Sequence, residues 1–407
     1  MMFLLFGFFF TVAEAQQMKV INQKEAVQMA LDSNMAVRSS AYSVEVQKAL
    51  KGASWDIPKT SVEGQFGQIN SSTRDNNLTV SQSFAFPTVY INQQKLAGAN
   101  VKSSEWQLKA SRLEIATQVK QIYWQLTYLH SKRKLLIYQD SLYSGFFRAA
   151  ELRANIGETN RLEMITARSQ KMETKNLLQQ VESDLGISAQ KLQTLLNTDF
   201  LLSPADTVLR RVPFSPEADS LLVSENPSVG YMKQQIEISR FEKKLERSRM
   251  MPDLSIGYFS QTMIGATSTN GQVFDSGDRF SGIQAGVAIP LWSSPYTSRT
   301  KAAKWKEKAA QTNAEYYSKS LSGEYRSLLG EFEKYSNSLD YYEKQAIPEA
   351  NLIIEQTTRS YRTGAMDYLD YIQNLSRSLT IMQNHLEALN NYNQTLISIE
   401  FITGKIY

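Results

Sequence analysis

The sequence has no cysteine and only two histidines, His130 and His385, among its 407 residues. The missing thiol excludes cysteine catalysis, disulfides, thiolate metal sites and a lipidated N-terminal cysteine. Two isolated histidines leave too little for a His-rich metal centre or a His-based triad, and both are expected at the surface or between helices. Met18, Met29 and Met35 form no cluster that would relay a metal. The net charge of +4 is too small a basic excess to point to nucleic acid. No glycine-rich phosphate loop and no nucleophile motif occurs. The chain is therefore not expected to be an enzyme, or to carry a cofactor or metal. Beyond residue 17 there is no long apolar run, so no transmembrane helix is expected.

What is present begins with "MMFLLFGFFFTVAEAQQ", an apolar run closed by Ala13-Glu14-Ala15. It is too short to span a bilayer and reads as a secretory signal over residues 1–15. No Lys or Arg precedes it, which fits a translation start a few codons upstream. An exported mature protein is the expectation.

The remainder is one half written twice. Asn34 in "DSNMAVRSS" aligns with Asn226 in "SENPSVGYM", and Pro58 with Pro252. Pro87 of "SFAFPTVY" aligns with Pro290 of "GVAIPLWS", and Gly157 with Gly364. The offsets, 192, 194, 203 and 207, drift slowly and in order, as duplication with small loop insertions would give. The repeats are assigned to 16–200 and 217–407. A linker over 201–216 joins them, and Pro204, Pro213 and Pro216 break helix there. Each half should hold a helix (roughly Lys24 to Ala53, and Glu217 to Arg249), two strands, a very long helix, a glycine joint and a returning helix. In the first half nothing stops the long helix between Pro87 and about Ala154, a span of ~100 Å. Pro348 should kink or break its second-half counterpart.

The helices carry stripes. Ile372, Leu375, Leu379, Met382, Leu386, Leu389 and Leu396 follow heptad steps, with Asn393 filling the one gap. Leu108, Ile115, Val119, Ile122, Leu126 and Leu129 do the same. This spacing is a coiled-coil seam. The strands alternate. Leu78, Val80, Phe84 and Phe86 share one face, with Thr79, Ser81, Ser83 and Ala85 opposite. Val62 and Phe66, Leu254, Ile256 and Tyr258, and Ile283, Val287 and Ile289 repeat the pattern. Such alternation fits a membrane barrel strand, and equally an ordinary half-buried strand. Four strands cannot close a barrel, and open edges cannot sit in lipid. Either the sheet is not in lipid, or several chains share one barrel, three chains giving an even count of twelve strands.

The duplication, the strand pairs ending at Pro87 and Pro290 and the joints at Gly157 and Gly364 together resemble the TolC-type outer-membrane efflux family over essentially the whole mature chain. The run "YLDYIQNLSRSLTIMQNHLEALNNYNQTLISIEFITGK" is similar to the members paired with heavy-metal exporters. The resemblance implies a mainly α chain with membrane β. Long helical hairpins would form a coiled-coil tunnel in the periplasm, and four strands per protomer would enter a trimeric twelve-stranded barrel in outer-membrane lipid. It also implies a homotrimer, a periplasmic membrane-fusion adaptor and an inner-membrane pump of RND type. A periplasmic coiled-coil scaffold or adaptor without a pore is the alternative.

The two glycine joints would be hairpin tips, since glycine supplies the φ > 0 turn that reverses the chain. In the family an acid follows the hairpin glycine by six positions and a second by nine. Here Asp370 and Glu163 fill the first position, while Gln373 and Thr166 stand at the second. The family's tyrosine three before the glycine matches Tyr361, and its arginine two after the glycine is replaced by Met366. The resemblance thus implies a periplasmic gate at Asp370, Glu163, Gln373 and Tyr361, with a Tyr361–Glu163 latch and one acidic ring, which Asp367 would supplement. Without it, Asp370 and Glu163 are solvated carboxylates at helix N-termini. Adaptor docking would fall to Arg153, Asn155, Gly157, Arg362, Thr363 and Gly364.

Overall fold

The computed structural model of the chain describes residues 18–214 and 220–406, so the expected signal segment lies outside the described residues. In order, the elements are β1 (Met18–Ile21), α1 (Gln23–Ser33), α2 (Met35–Gly52), β2 (Ser61–Gly67), β3 (Asp75–Phe84), α3 (Pro87–Asn155), α4 (Arg161–Leu196) and β4 (Leu201–Pro204). A 3₁₀ turn over Ser220–Glu225 opens the second half. Then follow α5 (Pro227–Ser248), β5 (Asp253–Thr262), β6 (Arg279–Ala288), α6 (Ser294–Tyr341), α7 (Ile347–Arg362) and α8 (Tyr368–Ile402). The fold is mainly helical with few strands, and α3 alone runs unbroken for 69 residues.

Two compact units result, and neither is a sequence half. The unit of residues 39–109 and 227–320 holds an antiparallel sheet of order β2-β3-β5-β6, so β3 of the first half pairs with β5 of the second. Its register aligns Val62 with Val80, Val80 with Tyr258 and Tyr258 with Ile283 on one face. Ser81, Gly257 and Gln284 align on the other. The apolar row is not covered: Val62 is 66 % exposed and Ile283 78 %. β2 and β6 are open edges. Helices of the same unit are tied by polar contacts, Gln234 Nε2 donating to the Ala99 carbonyl at 3.1 Å and Gln235 Nε2 to Ser103 Oγ at 2.9 Å.

The second unit holds the remaining residues of α3 and α6, together with α1, α4, α7, α8 and a parallel pair β1–β4. Its seams bury the expected stripes. Val119, Leu126 and Leu129 of α3 and Leu375, Leu379, Leu389 and Leu396 of α8 are all at most 4 % exposed. Each such side chain removed from water is worth about 1.5–3 kcal/mol.

The first helices and the stretch between the halves depart from the sequence expectation. The first helix of each half is broken at its asparagine. Asn34 takes extended backbone (ψ 130°) between α1 and α2, and Asn226 separates the 3₁₀ turn from α5. The reason is capping across elements. Asn34 Nδ2 donates to the Leu195 carbonyl at 2.8 Å near the end of α4, while its Oδ1 accepts from Ala36 N at 2.9 Å. Asn226 Nδ2 donates to the carbonyls of Phe401 (2.9 Å) and Ile402 (3.1 Å), which end α8. At Pro348 the expected interruption takes a specific form. A π-turn over Tyr342–Ala346 widens the backbone just before it, with Ile347 N–H bonding the Tyr342 carbonyl. That widening absorbs the clash and lost donor a proline brings.

The stretch read as a linker is a docked strap. Residues 201–204 form β4, and Leu209 is buried with its N–H on Ser131 Oγ at 2.7 Å. Arg211 Nη1 reaches Asp340 at 2.7 Å. Asn393, the polar gap in the α8 stripe, is buried because its side chain reads the strap backbone. Its Nδ2 donates to the Arg210 carbonyl at 3.0 Å and its Oδ1 accepts from Val212 N at 3.3 Å. Lys344 and Arg211 beside Asp340 pull its carboxyl down to about 2.

Asn226→Ala strips the donor from the buried Ile402 carbonyl and one of two donors from the Phe401 carbonyl, which keeps the Gly404 N–H at 3.1 Å, and is expected to cost about 1–3 kcal/mol. Asn226→Asp should not rescue it, because a carboxylate has no N–H to give. Thermal and denaturant midpoints of the full chain check this. An Asp variant as stable as wild type would remove the cap from the account.

Candidate functional site

The two hairpin turns are built alike. At the first, Gly157 (φ 80°) follows α3; Glu158 N bonds the Arg153 carbonyl at 2.9 Å and Gly157 N the Ala154 carbonyl at 3.3 Å. At the second, Gly364 (φ 75°) follows α7; Ala365 N bonds the Ser360 carbonyl at 2.9 Å and Gly364 N the Tyr361 carbonyl at 3.2 Å. Both are Schellman closures, and the left-handed residue must be glycine or pay a Cβ clash. Three residues on, a polar side chain starts the returning helix. Asn160 Oδ1 accepts from Leu162 N and Glu163 N, and Asp367 Oδ1 accepts from Asp370 N at 2.8 Å. Glu163 and Asp370 are therefore equivalent, each in the first turn of its helix.

Their surroundings differ. Glu163 is 3 % exposed. Its Oε1 accepts from the Tyr361 hydroxyl at 2.5 Å, and its Oε2 accepts from Thr159 Oγ1. Tyr361 is buried too, stacked on Tyr371 with ring centroids 4.4 Å apart and edge-on to Phe146 at 5.4 Å. Arg153 lies over the Tyr361 ring at 4.7 Å and donates from Nη2 to the Tyr361 carbonyl at 3.1 Å. Burial, and then the Glu163 carboxylate, push the Tyr361 phenol well above its ordinary value. Asp370 is exposed, and among the described residues no basic nitrogen lies within ion-pair distance of it.

These placements sort the expected site residues. Tyr361 and Glu163 come together and tie α7 to α4. Glu163 is thereby buried with both oxygens bonded inside the protomer, unlike the exposed carboxylate an acidic ring would need. Asp370 and Gln373 are exposed on α8. Asn155, Gly157, Arg362, Thr363 and Gly364 are exposed at the tips, but Arg153 is half-buried and engaged with Tyr361. Arg362 and Thr363 border a groove of about 570 Å³ with Tyr138, Leu142, Ile354 and Thr358. Met366 packs against the same cluster. Thr159, Phe146 and Tyr371 belong to the latch and were not singled out. Thr159 directly precedes the cap Asn160, and Tyr371 opens the α8 stripe one position before Ile372, so position alone could have flagged them. Among the described residues no group of three His, Asp or Glu is placed to hold a metal ion.

Tyr361→Phe strips a hydroxyl from a buried carboxylate and should lower stability at pH 7 by about 1.5–3 kcal/mol. A phenol pKa raised in the folded state contributes stability that is complete below the unfolded value of about 10 and fades as pH climbs through the folded value. The gap between wild type and Tyr361→Phe should accordingly narrow above about pH 10. Denaturant midpoints across pH test this, and a variant as stable as wild type at pH 7 would refute the latch.

Residues 220–405 match the family model described as outer membrane efflux protein. Among curated proteins no sequence matches the chain significantly. Solved structures share the fold across nearly the whole chain. CusC, studied for its folding and transmembrane channel formation, matches with a TM-score of 0.78 at 15% identity, covering 95% of this chain and 94% of its own. The CmeC outer membrane channel of Campylobacter jejuni matches at 0.75 and 15% identity, covering 94% and 85%. The outer membrane protein VceC of Vibrio cholerae matches at 0.76 and 14% identity, covering 94% and 96%. The chain thus has the fold of these outer-membrane proteins, and its C-terminal half matches the outer membrane efflux protein family.

Proposed function

We propose that the chain is the outer-membrane channel of a tripartite efflux system, a passive exit duct that performs no chemistry. One observation carries this reading: a four-stranded sheet with an exposed apolar face and two open edges. In water, Val62, Tyr258, Ile283 and Val287 would form an uncovered apolar patch; in lipid they are solvated. Open edges are excluded from lipid, so β2 of one copy must pair with β6 of the next. Three copies close a twelve-stranded barrel, and the helices of this homotrimer line a periplasmic tunnel. A membrane-fusion adaptor and an inner-membrane pump of RND type complete the path, the adaptor docking at the exposed tip residues Asn155, Gly157, Arg362, Thr363 and Gly364. Heavy-metal cations are the cargo to which the C-terminal resemblance leads.

The gate follows from the tips. The Tyr361–Glu163 bond holds the α7–α8 hairpin against α4. The exposed Asp370 carboxylates of three copies would face one another across a narrow axis and attract cations. Swinging the hairpin outward breaks the latch and relieves repulsion among those carboxylates.

Single-channel recording of the full chain in planar bilayers tests the reading. Wild type should be small, cation-selective and mostly closed. Tyr361→Phe should open more often with selectivity kept, and Asp370→Ala should lose selectivity. No conductance from a folded, detergent-purified protein would reject the duct in favour of a periplasmic scaffold. A conducting channel indifferent to both substitutions would move the gate away from the tips.

A further inference from the structure

One charged surface plays no part in the gate. Between α5 and α6 lies a groove of about 790 Å³. Six cations line it: Arg240, Lys243, Lys244 and Arg247 from α5, and Lys301 and Lys304 from α6. Arg240, Lys244 and Arg247 stand at i, i+4 and i+7, and Lys301 and Lys304 at i and i+3, so two basic stripes face each other across the groove. Lys243 is bonded to Glu307, and Arg240 approaches Glu237 at 3.4 Å. For Lys244, Arg247, Lys301 and Lys304, no carboxylate within ion-pair distance is found among the described residues. The neighbouring face is different: there Arg249 meets Glu246 at 2.7 Å and Lys306 meets Glu242 at 2.7 Å. Cations are thus neutralised on one side of this helix pair and left concentrated on the other.

The position of the groove narrows what it takes. Its α5 wall ends at Met250, three residues before β5 begins, and its α6 wall starts at Thr297, nine residues after β6 ends. This end of the sheet is collared by exposed Met251, Ile289, Leu291 and Trp292. Apolar surface on one side and unneutralised cations about two helical turns further on is the order of acyl chain and phosphate in a phospholipid. Lys and Arg are the side chains that reach a phosphate while their stems lie along apolar surface.

We propose that the α5–α6 groove binds the phosphate of an anionic phospholipid headgroup at the end of the sheet nearest the helices. The inference rests on the proposed bilayer placement of the sheet. Four cations without a carboxylate partner, one of them (Lys244) lying over the Phe241 ring, would become paired with an anion, and each protomer would be anchored to its leaflet at a fixed depth.

The test uses the full chain in detergent, titrated with short-chain phosphatidylglycerol, short-chain phosphatidylcholine or inorganic phosphate, with binding read by native mass spectrometry. Wild type should prefer phosphatidylglycerol over phosphatidylcholine by about tenfold or more, since several cations act on one extra negative charge. The variant K244Q/R247Q/K301Q/K304Q should lose that preference while keeping its helical circular dichroism and its conductance. Equal preference in variant and wild type would overturn the proposal. Inorganic phosphate binding as tightly as phosphatidylglycerol would also overturn it, replacing a lipid site with a free-anion site. Should the variant fail to fold, the charge-reversed pair K301E/K304E on the exposed face of α6 gives the same reading. Conductance without lipid preference would reject this site and leave the duct standing; lipid preference without conductance would do the reverse.

Discussion

The architecture depends on ending long helices without leaving their last carbonyls bare. α4 and α8 each finish against buried surface, where unsatisfied backbone oxygens are costly. Asn34 and Asn226 solve the problem identically, each breaking its own helix to carry a side-chain amide to the carbonyls that end the returning helix of its half. From that joint the rest follows. The short helix of each half starts afresh beyond its asparagine, α2 after Asn34 and α5 after Asn226. Because the joint is duplicated, the sheet is assembled from both halves, and the compact units cut across the repeats.

Much of this was legible in residue spacing. Alternation gave the strand faces, because side-chain direction in a strand depends only on parity. Heptad steps gave the seams, and the glycines gave the turns, because φ near +80° strains residues that carry a side chain. What was not legible required knowing which distant groups meet. Asn34 read as one residue in a continuous helix, since nothing local marks its amide as needed at Leu195. The strap read as a linker because its prolines forbid helix, yet they do not forbid docking through Leu209, Arg211 and the backbone at Val212. Asn393 looked like a lapse in the stripe, while it is the residue that recognises that strap. The Tyr361–Glu163 pairing came from family resemblance, and the burial of Glu163 from neither spacing nor resemblance.

The two tips share a backbone and differ in the residues around their first-turn acids. Counting back by the 207-residue offset of the tip glycines, Tyr361 corresponds to Ala154. A tyrosine on α7 can reach the first-turn acid of α4; an alanine on α3 cannot reach the first-turn acid of α8. Glu163 is therefore consumed in an internal bond and Asp370 is left exposed. The Arg153 guanidinium over Tyr361 reinforces the difference, since it fixes the ring that carries the hydroxyl. Thr159, the other partner of Glu163, likewise corresponds to Met366, so the two exchanges together divide equivalent carboxylates into a bonded, buried one and an exposed one.

The second hairpin also holds the only break in a long helix among the described residues that a proline causes. α3 is continuous, whereas α6 passes into α7 through the π-turn ahead of Pro348. Just below that turn, Arg211 of the strap grips Asp340, and Lys344 shares the same carboxylate at 2.8 Å. A π-turn is a rare single-turn widening of the helical ladder. The strap holds more than α6: Arg211 also reaches Glu343 inside the turn at 3.7 Å, and Asn393 of the unbroken α8 is bonded to the strap backbone. The turn and α8 are therefore fixed together at this level, while the far end of α7 is fastened by Tyr361. The first hairpin has neither a proline nor a π-turn. The asymmetry of the second hairpin thus has two parts about 20 residues apart, or ~30 Å along the helix: a widened turn held by the strap, and a buried tyrosine bonded to the neighbouring hairpin.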